Sequence, residues 1–209
     1  MTRNITIRGR EYTLVYDFDL VGLFQAEKKL PRWKSILLVL LFLAVVVSAG
    51  ILVNQFMGRM ESYTNVIFLL MTILFTFVLH EGIHGLFFWV FGGRPSFGIK
   101  VIGGWRNVLW GLVLYATADA YYTRAQYFIV GLSPLVVISV MAVVASWFDS
   151  LRGYALIAAA VNGIGALGDV YMMAKLAKFP PSSMVRDTAD GYEVYAAAAV
   201  PSKDTSFDL

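Results

Sequence analysis

The sequence has no cysteine and only two histidines in 209 residues. Without cysteine there is no disulfide framework and no thiolate ligand, so a transition-metal site must be built from imidazole and carboxylate. Charge is scarce as well. Asp, Glu, Lys and Arg make up 15% of the residues, where an average soluble domain has about 25%. What replaces them is apolar, 58% of the chain with a mean hydropathy of +0.68. The net charge of +3 does not form a stripe or a patch, because the basic residues flank the apolar stretches. No nucleic-acid partner is expected from that pattern.

Four apolar runs, at about 35–53, 66–91, 127–148 and 154–176, approach the roughly 20 residues needed to cross a bilayer. The first starts too far from the N-terminus and is too long to be a cleavable signal peptide. Of the 17 Lys and Arg, only Arg59 and Arg152 lie in the connections between the first and second and between the third and fourth runs; the rest fall in the N-terminal arm, the middle loop and the tail. The positive-inside rule then predicts a multi-pass protein of the cell membrane with both termini cytoplasmic and the lipid bilayer as its first partner.

Three parts follow: a cytoplasmic arm at 1–32, a membrane core at 33–178 and a cytoplasmic tail at 179–209. In the arm, ITIRGREYTLVY alternates around Arg8 and Gly9 and reads as a β-hairpin. The loop 94–124 contains FGIKVIGG and VLWGLVLYAT, rich in β-branched and aromatic residues and broken by glycines. It reads as a second hairpin at the membrane interface, with a buried helix at 107–120 as the alternative. DTADGYEVYA reads as a turn plus a strand; its Asp187 and Asp190 lack the distal Glu of a calcium loop. The fold class expected is an all-α polytopic membrane protein, with four transmembrane helices and small cytoplasmic β-hairpin elements.

Residues 77–88, FVLHEGIHGLFF, put both histidines and a glutamate into one apolar run. On a helix, His80 and His84 lie one turn apart on one face and offer two imidazoles to one ion. Glu81 is one step round from His80, within reach of a water on that ion. This is the H-E-x-x-H pattern, two metal ligands with a general base. The plain alternative, polar residues joining helices, leaves three ionisable groups in five residues of a membrane span without a compensating role. A catalytic zinc needs a third protein ligand. With no Cys and no further His, that ligand is Asp or Glu, and Asp169 is the one other acid well inside an apolar run. His80 and His84 precede the end of their run by about 10–17 Å, and Asp169 precedes the end of its own by about 10 Å, at 1.5 Å per residue. The two runs point the same way, so the three groups share one depth. Asn162, two turns deeper on the face of Asp169, and Pro134 in GLSPLVV are candidates for holding a substrate or for helix packing.

HEGIH, the downstream YTRAQYFIVGLSP and NGIGALGD together resemble a family of small prokaryotic membrane zincin peptidases, similar to the site-2 protease class of intramembrane metalloproteases. The resemblance covers about residues 66–178. Leu167-Gly168-Asp169 stands where site-2 proteases carry an L-D-G motif, with a glycine inserted, and Asn162 lacks the proline that usually follows. The resemblance implies peptide hydrolysis within the membrane on a membrane-protein or peptide substrate. Zn2+ would be held by His80, His84 and Asp169, with Glu81 as catalytic base. Two other readings use the same residues: a catalytically silent zinc-binding regulator or scaffold, and a metal-ion carrier. The carrier is disfavoured by the near absence of polar groups in the first run and by the few acids of the external loops.

Overall fold

The computed structural model describes residues 3–19, 62–101, 112–188 and 190–197. Helix α1 (Ser62–Val90) is apolar all round. Ile67, Phe68, Leu74, Phe75 and Val78 are exposed on it, a pattern that suits lipid and not water. Helices α2 (Arg124–Ser146), α3 (Asp149–Gly165) and α4 (Leu167–Leu176) follow. Three segments, Ile67–Val90, Arg124–Ser146 and Asp149–Leu176, are long and apolar enough to cross a membrane. Their length and composition suggest a membrane protein. The expected run at 35–53 lies outside the described residues, as does the end of the tail.

Local chemistry sets the helix ends. Gly92, at φ 88°, closes α1, where its N–H donates to the Trp89 carbonyl and that of Gly93 to the Phe88 carbonyl. This double bond with a left-handed glycine stops a helix sharply. At the start of α2, Thr123 and Gln126 form a reciprocal capping box. The run expected as one span at 154–176 begins earlier, at Asp149, and breaks at Ala166. The break starts a new helix, and Asp169 sits in its first turn.

The all-α expectation is overturned, and the fold is mixed α/β. Strands β1 (Asn4–Ile7), β2 (Arg10–Asp19), β5 (Tyr121–Thr123), β6 (Met184–Thr188) and β7 (Gly191–Ala197) form one antiparallel sheet in the order β1-β2-β7-β6-β5. The expected arm hairpin is there, turning at Arg8 (φ 51°) and Gly9 (φ 75°), the two positive φ values of a type I′ turn. It does not stand alone. β2 pairs with β7 from Tyr12↔Ala197 to Asp19↔Gly191, shifting register between Leu14 and Tyr16. Separate hairpins are thereby fused across almost the whole chain. Strands β3 (Pro95–Val101) and β4 (Leu112–Ala118) form the second sheet, and strand at Leu112–Ala118 excludes the helix considered for 107–120.

One buried cluster joins the large sheet to the bundle. Phe88 of α1, Tyr127 of α2, and Met173 and Leu176 of α4 pack against Phe18, Tyr122, Val185, Tyr192 and Val194. The sheet therefore lies at the end of the bundle where α1 finishes, α2 starts and α4 finishes.

Candidate metal centre

Helix α1 presents His80 and His84 toward α2, α3 and α4, and both are buried. Their Nε2 atoms are 3.3 Å apart. Asp169 Oδ2 is 3.1 Å from Nε2 of His80 and 3.6 Å from Nε2 of His84. Among the described residues this is the group of side chains able to hold a metal ion, with the donor atoms within 4.8 Å of one another. A tetrahedral zinc with N and O ligands at ~2.0–2.1 Å requires ligand–ligand edges of ~3.3 Å. The observed triangle has edges of 3.1, 3.3 and 3.6 Å, so the donor set fits one face of a zinc tetrahedron.

The far side of each imidazole is held. His80 Nδ1 is 2.9 Å from Asn162 Oδ1, and His84 Nδ1 is 2.9 Å from the Val130 carbonyl oxygen. Each oxygen accepts the Nδ1 proton, which leaves the Nε2 lone pair facing the cluster. Asn162 is 1% exposed, and its Nδ2 donates to the Pro134 carbonyl at 3.2 Å. Both ends of its amide are thus committed to orienting His80. Asn162 and Asp169 grip opposite edges of one ring from either side of the α3–α4 break.

Pro134 works through the backbone. A proline has no N–H to return to the carbonyl four residues earlier, and here that carbonyl belongs to Val130. Its two lone pairs serve His84 Nδ1 and the Ser133 hydroxyl, which donates at 2.8 Å. The sequence carried this signal in the four-residue spacing from Val130 to Pro134, which was not connected to His84.

The centre opens on a cavity of about 480 Å³ that is lined by Glu81, His80, His84, Asp169 and Asn162 at one end. Glu81 is half-buried and stands outside the cluster of donor atoms, facing the backbone of Ala116 on β4. Leu114, Tyr115 and Ala116 of β4 form one wall. The hairpin lies over α1 at Gly85, where a Cβ would stand 2.3 Å from Phe97 Cζ of β3 and the exposed ring would have to turn aside.

The cavity also reaches Asp187 on β6, which sequence reasoning took for a turn residue. The Tyr127 hydroxyl donates to its Oδ1 at 2.5 Å, while Oδ2 is closed off from solvent with no hydrogen-bond partner. Burial pushes this carboxyl up to about 7, against the opposing pull of Thr117 and Tyr127 beside it. The position faces the same core as Val185 and Val194, so no hydrophobic pattern announces an acid there.

No curated protein and no solved structure matches the chain. The sequence model of the family described as "Putative zincin peptidase" matches residues 73–184, from the middle of α1 to the start of β6. That is more than half of the sequence and includes all three residues of the cluster together with Glu81. The chain belongs to this zincin peptidase family.

Proposed function

We propose that the protein is a zinc-dependent peptidase that hydrolyses membrane-associated polypeptides within the bilayer, with His80, His84 and Asp169 as ligands and Glu81 as general base. The observation that carries this reading is the triangle of two Nε2 atoms and one carboxylate oxygen beside Glu81, on helices long and apolar enough to cross a membrane and open to a cavity. A zinc ion held there would polarise a carbonyl oxygen and lower the pKa of a bound water to ~7. Glu81 takes the proton of the attacking water and delivers it to the leaving nitrogen. Asn162 and the Val130 carbonyl keep both imidazoles in the metal-binding tautomer through that cycle. A substrate must arrive as extended chain, because a helix hides its carbonyls in its own hydrogen bonds. The wall formed by β4 supports that requirement, since an extended segment adds to a strand edge by backbone pairing.

The test compares cleavage of a panel of single-span peptides by zinc-loaded wild type and Glu81→Gln. The amide keeps the shape of the carboxylate but accepts no proton, so cleavage should fall ~10²–10⁴-fold while zinc content stays at the wild-type level. Equal cleavage by the two proteins refutes the mechanism. Loss of zinc in Glu81→Gln as complete as in His84→Ala makes Glu81 a ligand and the site a structural one.

A further inference from the structure

Glycines in membrane helices ordinarily serve close helix approach. Gly131 of α2 does so here, since a Cβ on it would stand 2.9 Å from Met173 of α4. Gly165 and Gly168, on either side of the break at Ala166, do not. A Cβ on Gly168 would meet nothing within 4 Å, and one on Gly165 would meet only Phe77 Cε1 at 4.0 Å. Neither has a positive φ, so the backbone does not require glycine there. Glycine is also unfavourable in a helix compared with alanine. Packing and backbone conformation thus leave both positions unexplained, and what the missing side chains provide is space. That space belongs to the cavity of the metal centre. Both glycines line it, together with Leu74 and Phe77 of α1, Val161 of α3 and Met172 of α4.

Gly168 directly precedes Asp169, and Gly165 follows Asn162 by one turn, so the space abuts the centre beside the two residues that grip His80. Leu74 and Phe77 precede His80 on α1, away from the sheet, and both are exposed. This flank of the cavity therefore meets the apolar outer surface of the bundle. We propose that it is the subsite for a large apolar side chain of the bound polypeptide, such as leucine or phenylalanine, next to the bond presented to the metal centre. Gly165 and Gly168 are its specificity-determining positions, because their missing side chains set its width. That the bound chain is a substrate rests on the function proposed above. Continuity with the metal centre selects this occupant. The donor triangle and the β4 wall line the same cavity, so a chain lying at the centre reaches the space with one side chain. A lipid tail reaches it only by lying beside buried ionisable groups, which is unfavourable for both. An alanine at that position of the bound chain leaves the space unfilled and loses its contacts.

The test uses zinc-loaded Glu81→Gln protein in lipid nanodiscs and fluorescent, alanine-rich single-span peptides, read by anisotropy. A single leucine is placed at successive depths of the span. At one depth it should raise affinity about tenfold over the span without leucine, the low end of what an apolar group is worth in a fitted pocket. Gly168→Leu fills the space from within and should erase that gain, and Gly168→Ala should reduce it part-way. Zinc content and melting temperature should hold in both, because nothing stands within 4 Å of the new Cβ. Gly163→Leu is the control. That glycine also faces open space but does not line the cavity, so the leucine gain should persist. A gain that survives Gly168→Leu overturns the proposal, as does a leucine that binds no better than alanine at any depth. Equal loss in Gly163→Leu and Gly168→Leu assigns the effect to the helix break and overturns it too. If Gly168→Leu erases a gain seen at one depth, yet wild type cleaves no peptide of the set, the subsite stands and the peptidase reading falls. Cleavage that ignores the position of the leucine removes the subsite alone.

Discussion

At the scale of single residues, two acceptor oxygens decide what the histidines can do. Asn162 Oδ1 and the Val130 carbonyl each take an Nδ1 proton, so both Nε2 atoms face the ligand position. The approach of His80 and His84 was legible because residues four apart share one helix face. Asp169 was legible by depth and by the shortage of other candidates. Asp187 was not, since an acid on a short strand looks like a turn residue until its partners are known. Its carboxyl titrates near 7 in the folded chain, above the ordinary value of 3.8, chiefly through burial. The folded state is therefore favoured while Asp187 is protonated, and this contribution fades as pH rises from about 4 through 7. Its ceiling is on the order of 4 kcal/mol. For metal-free protein, melting temperatures of wild type and Asp187→Asn should diverge across that range, with the variant gaining relative to wild type at pH 8. A difference that stays flat from pH 4 to 8 contradicts the assignment.

Among the elements, α2 and the α3–α4 break do the positioning. Pro134 costs the helix a hydrogen bond and gives His84 its acceptor. Pro134→Ala returns an N–H to the Val130 carbonyl in competition with His84. The variant should melt no lower than wild type in the metal-free state, because proline inside a helix is unfavourable. Its zinc affinity, measured by chelator competition, should drop ~10–100-fold, as for loss of a partner behind a metal ligand. Unchanged affinity means the Val130 carbonyl is not needed. The hairpins around Arg8 and Gly9 and at β3–β4 were legible from alternation and glycine breaks. Their assembly was not. β2 finds β7 through side-chain fit between chain ends, and alternation within either strand holds no record of its partner. Tyr121–Thr123 is too short to show a period before the helix begins. The break at Ala166 was equally hidden, since alanine is a strong helix former and 154–176 reads as one apolar run.

For the whole molecule, the sheet ties three regions of chain to one end of the bundle: the N-terminal arm, the stretch before α2 and the stretch after α4. That arrangement puts all of them at one end of the bundle, and the skew of basic residues alone carries the expectation that this end is cytoplasmic. The chain has no cysteine of its own, so single introduced thiols report cleanly. Cysteine at Arg59 or Arg152 should react with an impermeant maleimide from outside the cell, and cysteine at Arg8 or Arg94 only after permeabilisation. Labelling of Arg94→Cys from outside overturns the topology and the shared depth that rests on it. The central claim is a zinc ion held by two histidines of one helix and an aspartate from another. Zinc content of the purified protein, by elemental mass spectrometry, tests it most directly. About one zinc per chain should accompany wild type, Asp119→Ala and Asp149→Ala, and fall away in His84→Ala and Asp169→Ala. Full zinc in Asp169→Ala with loss in Asp119→Ala contradicts the account.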